Sequence, residues 1–259
     1  NSADFFLLLS VFVKHLFITI NRGNSYIGER GEFMFDIKKY YNTYPYTGYM
    51  GYYAMMASCF CKKSYVRVLN TVNQPLDIQV NDILMAENLK IGEFTKYVKF
   101  PPNSYHVLIH SPNGNLLFES DIDIDYNLAY TAVVSADEEN KKDICILMVP
   151  EQKVHNMTSN MSALRLANLC IDEPEVVMSA SDGTILFSDI KYGKVSCNVA
   201  IPSGRYTLQL KKPDGTEILD HWIDAAPYMH YTLFIVGMKN DGSIKIIVPE
   251  DGVNYLDLC

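Results

Sequence analysis

The sequence has little of what catalysis, nucleic-acid binding or membrane binding requires. Its 259 residues carry a net charge of -8 with a pI near 5.2, and an acidic surface repels both nucleic acid and anionic lipid. Neither is therefore an expected partner. The chain also lacks a Gly-x-Ser-x-Gly turn, a phosphate-binding loop and a dinucleotide fingerprint. Without a concentrated set of reacting groups, the sequence predicts neither an enzyme nor a small-molecule cofactor.

The cysteines do not form a duplicated framework. The six are Cys59, Cys61, Cys145, Cys170, Cys197 and Cys259. The two halves of the chain do not share them in register, whereas disulfides copied together with a domain would stay aligned. We therefore expect free thiols in a reducing compartment. Cys59-Phe60-Cys61 lacks a second pair of ligands, so no metal site is expected there.

One apolar stretch, Phe5–Ile20, is interrupted by Lys14 and His15 and is shorter than the ~20 residues of a spanning helix. It also lacks the basic start and small-residue end of a signal peptide. We expect residues 1–33 to be upstream sequence, because codons just before Met34 can spell a ribosome-binding site. A membrane or signal segment is the alternative. The expected location is the cytoplasm, or else the membrane or the cell exterior if the stretch is real.

The chain does contain an internal repeat. Residues 90–131 recur at 191–232 with a constant spacing of 101. The shared positions are turn formers and core residues, which specify a backbone and not a reaction. The repeat-defining pairs are Gly92/Gly193, Pro101/Pro202, Tyr105/Tyr206, Gly114/Gly215 and Asp123/Asp224. The two aspartates are expected to hydrogen-bond a turn or backbone group at a strand end.

Short strands separated by turn signals about every ten residues predict the fold class. In the first strand, Val66 and Val68 fall on one face and Arg67 and Leu69 on the other. Arg67 and its counterpart Arg165 are expected to pair with carboxylates across the sheet. We expect an all-β protein of two tandem Ig-like or transthyretin-like antiparallel β-sandwich (or barrel) domains with about eight short strands each.

The composition also divides the chain. The expected segments are a tyrosine-rich flexible arm at 34–64, a first sandwich at 65–151, a polar linker at 152–162, a second sandwich at 163–252 and a tail at 253–259. Each sandwich has about ninety residues, which is enough to fold alone.

Aromatic residues are the candidate interaction sites. Tyrosine offers large, rigid contact area at low entropic cost, so a run of tyrosines favours binding to other protein. The candidates are Tyr40, Tyr41, Tyr44, Tyr46, Tyr49, Tyr52, Tyr53 and the sole tryptophan, Trp222. Trp222 is interpreted either as partly buried or as a contact at the rim of a site.

Two groups of polar side chains share strand faces. His106 and His110 could bind a metal, but no third ligand is evident in the sequence. We therefore expect the two histidines to face solvent. Asp121, Asp123 and Asp125 lack the glycine that a calcium loop needs, so they too are expected to face solvent.

A family resemblance rests on these repeats. The stretch VRVLNTVNQPLDIQVNDILMAENLKIGEFTKYVKFPPNSYHVLI and the later PSGRYTLQLKKPDGTEIL are similar to the bacterial family called domain of unknown function 4397. The resemblance covers Tyr65 to about Gly252 and implies tandem copies of a non-enzymatic unit, many of which are exported. Asn103 departs from the glycine usual at its position. The tyrosine-rich leader and the closing IVPEDGVNYL resemble versions in spore-forming clostridia, which implies a role in a spore layer and deposition on the spore after synthesis in the cytoplasm.

Together these observations predict a non-catalytic structural or interaction protein in a layer such as the spore coat or a surface layer. Its expected partners are other proteins or further copies of itself. The alternative is a carbohydrate- or peptide-binding module with a groove between the repeats, where Trp222 or the tyrosines would stack. A third hypothesis is an enzyme whose site forms between the domains.

Overall fold

A computed structural model describes residues 63–141, 143–154 and 157–258, all of which fall within one compact unit. The predicted upstream segment at 1–33 and the seven candidate tyrosines between Tyr40 and Tyr53 lie outside the described residues, as do Cys59, Cys61 and Cys259.

Eight strands form the first domain. They are β1 (Ser64–Asn70), β2 (Leu76–Val80), β3 (Ile83–Leu89), β4 (Val98–Phe100), β5 (Asn103–His110), β6 (Leu116–Ile124), β7 (Ala129–Ala136) and β8 (Ile144–Pro150). One sheet has the order β4-β1-β7-β8 and the other the order β3-β2-β5-β6. The two sheets pack face to face, because alternate apolar side chains such as Val66, Ile78 and Val107 meet in one buried cluster.

Nine strands form the second domain, which repeats this arrangement. They are β9 (Met161–Asn168), β10 (Glu175–Ala180), β11 (Ile185–Lys191), β12 (Lys194–Val195), β13 (Val199–Pro202), β14 (Gly204–Lys211), β15 (Glu217–Ala225), β16 (His230–Val236) and β17 (Lys245–Ile247), followed by a 3-10 turn at Gly252–Asn254. The sheets are β12-β9-β16-β17, with β13 also pairing with β9, and β11-β10-β14-β15. Apart from the 3-10 turn, the described residues contain no helix.

The predicted all-β class with two sandwich domains is confirmed. Most strand pairs are antiparallel, as expected, but each domain also contains one parallel pair, β1 with β7 and β9 with β16. A turn-by-turn reading of the sequence cannot reveal these pairs, because the paired strands lie far apart along the chain.

The repeated residues hold equivalent turns. The Tyr105 hydroxyl donates to the Pro101 carbonyl at 2.6 Å, and the Tyr206 hydroxyl donates to the Pro202 carbonyl at 2.7 Å. Each bond ties the start of a long strand to the strand before it. Gly114 and Gly215 close the hairpins that follow with φ values of 82° and 87°, a conformation that costs a side-chain-bearing residue energy. This is why proline, tyrosine and glycine recur at the same spacing.

The two domains pack against each other through the sheets that contain the parallel pairs. A third buried cluster draws Leu69 and Val133 from the first domain and Leu169, Phe234 and Val236 from the second. Strand β7 is consequently buried on both faces over almost its whole length. The sheets β4-β1-β7-β8 and β12-β9-β16-β17 are called the inner sheets below, and the remaining two the outer sheets.

Candidate functional site

Two arginines extend from the inner sheets into the domain interface. Arg67 of β1 donates from Nε to the Thr131 hydroxyl at 2.9 Å and from Nη1 to the Glu250 carbonyl of the second domain at 3.0 Å. Its side chain is 6% exposed. Because Glu250 belongs to the other domain, this arginine bridges the two halves of the chain.

Arg165 of β9 makes the mirror set of contacts. It donates from Nε to the Thr232 hydroxyl at 2.8 Å and from Nη1 to the Pro150 carbonyl of the first domain at 2.6 Å. Each domain therefore supplies one guanidinium and receives one. Reciprocity of this kind is characteristic of an isologous interface between two copies of one unit, here joined in a single chain.

Two buried carboxylates balance the arginines. The Thr131 hydroxyl donates to Glu151 Oε1 at 3.3 Å, and the Thr232 hydroxyl donates to Asp251 Oδ2 at 2.8 Å. Arg67 Nη2 lies 3.4 Å from Glu151 Oε1. The expected pairing of the two arginines with carboxylates is thus observed, although between domains as well as within a sheet.

The strand register shows which acids are equivalent. Tyr130 pairs with Pro150, and Tyr231 bridges to Glu250, so the residues that follow, Glu151 and Asp251, occupy matching positions. Alignment of the two Val-Pro-Glu tripeptides places Glu151 opposite Glu250 instead, and that alignment is wrong by one residue.

The first half of this charged interface carries an aromatic cover that the second half lacks. The Arg67 guanidinium lies 4.8 Å from the Phe94 ring centre and 4.7 Å from that of Tyr97. The Tyr97 hydroxyl donates to Glu151 and accepts from the Gly252 N–H at 3.1 Å. At the equivalent positions the second domain has Val195 and Asn198, so the two halves match in their charges but not in what shields them.

Burial dominates the electrostatics of this cluster. Removal from water raises the pKa of Asp251, and the nearby charge of Glu151 raises it further. Burial likewise lowers the pKa of Arg165 and raises that of the Tyr97 phenol. Two guanidinium groups and two carboxyl groups are held with their side chains at most 6% exposed. Such a group is inaccessible to a substrate and is suited to joining the domains.

Trp222 lies on the opposite side of the second domain, on the edge strand β15 of an outer sheet. It is 67% exposed, so the interpretation of this residue as buried is wrong. Its cross-strand neighbour is Thr207, and the Arg205 guanidinium lies 5.9 Å from the ring centre. Arg205 also pairs with Asp224 at 3.6 Å, and both side chains are exposed.

The other predicted residues that the structure describes are dispersed over turns and strands of both domains. Gly92, Gly193, Gly114 and Gly215 all have positive φ. Asp224 faces an arginine on the neighbouring strand, and Asp123 lies opposite Ser104 in the equivalent register. The repeat-defining residues are therefore not gathered into one site, although Trp222 and Asp224, two candidates that the structure describes, share a face of β15.

The histidine and aspartate pattern of the first domain forms a solvated network. His106 contacts Asp121 through Nδ1 at 2.9 Å and Glu119 through Nε2 at 3.1 Å. The hydrogen bond to Asp121 is the main reason that the pKa of His106 is raised. No group of three or more potential metal ligands occurs in the described ranges. Cys145, Cys170 and Cys197 are free thiols.

A pocket of about 440 Å³ lies beside the end of the chain and is bordered by Lys153, Tyr228, His230 and Asn254. His230 lies at the edge of this pocket, and hydrogen bonds at both ring nitrogens fix its orientation. Its Nε2 accepts from the Val154 N–H at 2.9 Å, so its Nδ1 carries the proton and bonds the Asn254 side-chain oxygen at 3.0 Å. Burial lowers the pKa of His230. This histidine is neutral and fully engaged, which assigns it to the structure of the fold.

Sequence reasoning missed Glu151, Asp251 and Tyr97 as members of the interface. A signal was present, since Thr131 and Thr232 are identical in the two repeats. A polar pair retained on a strand that is otherwise apolar points to buried hydrogen bonding.

The fold and the reciprocal interface define a tandem β-sandwich protein. Residues 64–179 match the family described as "Domain of unknown function (DUF4397)", so this part of the chain is a DUF4397 domain and the predicted resemblance is confirmed. The match runs past β8 into β10. The family model does not show a second copy; the duplication is visible in the strand order of the two domains.

Several solved structures are similar to this chain at low identity. A family 26 carbohydrate-binding module from Eubacterium rectale, in complex with maltoheptaose, is 8% identical with a TM-score of 0.25, covering 72% of this chain and 97% of its own. An α-glucan-binding streptococcal virulence factor is 11% identical, with a TM-score of 0.23 and coverages of 74% and 99%. The Bacillus anthracis TIE protein is 12% identical, with a TM-score of 0.21 and coverages of 68% and 34%.

No curated protein matches the chain. Within the described residues, no helix is long and apolar enough to cross a membrane.

Proposed function

We propose that this chain is a non-catalytic interaction protein, in which two joined β-sandwiches form a rigid base for a tyrosine-rich N-terminal segment. The segment attaches the base to other proteins or to further copies of the chain in an assembled layer, such as the spore coat or a surface layer. Its location is then the layer itself, after synthesis in the cytoplasm.

The observation that carries this proposal is that ionisable side chains are buried at the interface between the two domains and bonded across it. Four of them, Arg67, Arg165, Glu151 and Asp251, form one buried group in which each residue is at most 5% exposed. They form ion pairs with one another, and their hydrogen bonds run to threonine hydroxyls and to backbone carbonyls across the interface. Groups used in this way hold two domains together, which is a task for a protein that bears load or presents a surface.

The alternative function, a carbohydrate- or peptide-binding module with a groove between the repeats, requires an open cleft at the interface. The apolar side chains that meet there, among them Leu69, Val133 and Phe234, are not exposed at all. The space between the domains is filled, so we favour assembly over a ligand groove at this location.

Deletion of the tyrosine-rich segment tests the proposal, and the structure determines where the deletion must stop. Ser64 is the first residue of β1, is buried and accepts from the Leu128 N–H at 3.1 Å, while Lys63 pairs with Asp257. The deletion should therefore remove residues 34–62. A matched control keeps the length and replaces the seven candidate tyrosines with serine.

The full chain is expected in the insoluble layer fraction of the native cells, and both variants in the soluble fraction. The melting temperature of the folded part should change by less than about 2 °C, because no residue of the sandwiches is altered. If both variants still enter the layer fraction as the full chain does, the tyrosine segment has no such role and the proposal is wrong.

A further inference from the structure

The outer sheet of the second domain presents one ring among polar side chains. On β14 the residues Arg205 and Thr207 point away from the core, which lies under Leu208 and Leu210. On β15 the outward residues are Asp220, Trp222 and Asp224, because the alternate residue Ile223 is buried. These five outward residues are called the Trp222 face below.

An exposed tryptophan is uncommon, because its large ring gains more from burial than almost any other side chain. Here two thirds of Trp222 is in contact with solvent. Its paired residue is Thr207, which is also exposed, and Asp220 and Asp224 precede and follow it on the same face. The outward neighbours of the ring on these two strands are therefore polar.

These surroundings narrow the class of ligand. Two carboxylates beside the ring disfavour a nucleic acid or another polyanion. The Arg205 guanidinium already lies 5.9 Å from the ring centre, so a second cation would meet a like charge there. A hot spot for another protein requires neighbouring contacts that exclude water, and charged residues are depleted at the centres of such interfaces.

A neutral carbohydrate meets every one of these conditions. A sugar ring offers one apolar face of C–H groups, which packs on the negative face of an aromatic ring, and a rim of hydroxyls that both donate and accept. Carboxylates accept hydroxyl hydrogens and a guanidinium donates to hydroxyl oxygens. We propose that the Trp222 face binds a neutral polysaccharide, with one sugar ring stacked on Trp222 and its hydroxyls bonded to Asp220, Asp224 and Arg205.

The first domain provides an internal comparison. At the position equivalent to Trp222 it has Asp121, which faces His106 in the same register. His106 is hydrogen-bonded to both Asp121 and Glu119. The indole ring of Trp222 has no counterpart on this surface, so the proposal assigns one sugar site to each chain.

Fluorescence provides a direct test, because Trp222 is the only tryptophan in the chain. The full chain is titrated with maltohexaose, cellohexaose and chitohexaose, three neutral oligosaccharides that differ in linkage and substituent. At least one is expected to shift the emission to shorter wavelength in a saturable way. Half-saturation is expected at about 1 mM, the affinity that one stacking contact and a few hydrogen bonds provide.

Variants locate the site, with calorimetry as the readout that does not depend on tryptophan. Trp222→Ala should abolish binding, Arg205→Ala should weaken it about three- to tenfold, and Asp121→Ala in the first domain should leave it unchanged. All three side chains are exposed on outer sheets, so none of the substitutions should disturb folding. An unchanged circular dichroism spectrum checks this for each variant.

Three results would overturn the proposal. One is an unchanged emission with all three sugars up to about 10 mM, well above the expected dissociation constant. A second is equal binding by Trp222→Ala. The third is saturable binding of a lysine-rich peptide in place of the sugars, which would make the face a cation site. The proposal does not depend on the tyrosine segment, since a variant lacking residues 34–62 should bind sugar as the full chain does.

Discussion

The inner and outer sheets of this molecule differ in how far the two repeats agree. On the inner sheets the paired positions keep their chemistry, with Arg67 matching Arg165 and Thr131 matching Thr232. On the solvent face of the outer sheets the agreement is only partial: Asp123 matches Asp224, but Trp222 stands where the first domain has Asp121. The reason is physical. Each buried arginine donates a hydrogen bond to a backbone carbonyl of the other domain, so its replacement would leave that carbonyl without a donor. Within the part of the chain that the structure describes, an outward residue of an outer sheet has no such partner in the other domain.

The largest expected effect comes from removing one buried arginine. Arg67→Met leaves the Thr131 hydroxyl and the Glu250 carbonyl without their donor, and removes the cation beside Glu151, in a site closed to water. We expect a loss of about 3–5 kcal/mol in the free energy of unfolding, measured by urea denaturation. The matched control is Arg205→Met, whose exposed ion pair with Asp224 should contribute less than about 1 kcal/mol. Equal losses in the two variants would contradict the difference between inner and outer sheets.

The pH dependence of stability is expected to expose Asp251. Burial and Glu151 raise its pKa from 3.8 in the unfolded chain to about 6 in the folded protein. The folded state therefore holds a proton that the unfolded state has released, and this group lowers stability as pH rises from about 4 to about 6, by roughly 1–3 kcal/mol.

Asp251→Asn lacks this titration and keeps an oxygen for the Thr232 hydroxyl. Unfolding in urea at a series of pH values should show the native protein losing stability relative to Asp251→Asn across that window. Parallel profiles for the two proteins would mean that Asp251 titrates normally and that the cluster is not sealed from water.

A smaller effect is expected at the aromatic cover, which only the first half of the interface has. Tyr97→Phe keeps the ring over Arg67 but removes the hydroxyl that bonds Glu151 and the Gly252 N–H. The expected loss is about 1–2 kcal/mol by thermal or urea unfolding, because buried partners are left unpaired. Asn198→Ala, at the equivalent position of the second domain, serves as the comparison and should cost less.

The smallest effect separates two equivalent glycines. Gly92 and Gly193 have φ values of 77° and 71°, so replacing either with alanine should cost about 1 kcal/mol. A Cβ at Gly92 would also lie 3.0 Å from the Ile247 Cδ1 atom of the second domain, whereas a Cβ at Gly193 meets nothing within 4 Å. Gly92→Ala should therefore be the more costly by a few tenths of a kcal/mol. The reverse order would show that this edge of the interface is loosely packed.

Turn chemistry made the fold class predictable from sequence. Pro-Asn-Gly and Pro-Asp-Gly mark hairpins wherever they occur, and the alternation of Val66, Arg67, Val68 and Leu69 correctly divided β1 between two faces. The sequence alone, however, does not show what packs against the second face, which carries Arg67 and Leu69. That both faces of β1 are buried depends on the other domain, about a hundred residues away, and no local pattern carries that information.

The candidate site was less predictable for a similar reason. Glu151 and Asp251 lie beyond the last paired residue of each domain, and the repeated Val-Pro-Glu tripeptide suggested a register shifted by one. Backbone pairing with Tyr130 and Tyr231, and not sequence identity, sets their equivalence. Trp222 was identified from its rarity alone, and only its place on an outer edge strand showed that its ring is exposed.

The central claim is that the reciprocal arginine cluster makes the two sandwiches one folding unit, and native-state hydrogen exchange tests it most directly. Amides of β1 and β7 in the first domain and of β9 and β16 in the second should exchange through a single global opening with the same free energy, and Arg165→Met should lower both pairs together. If the amides of one domain open at a distinctly lower free energy while those of the other stay protected, the domains fold independently and the account is wrong.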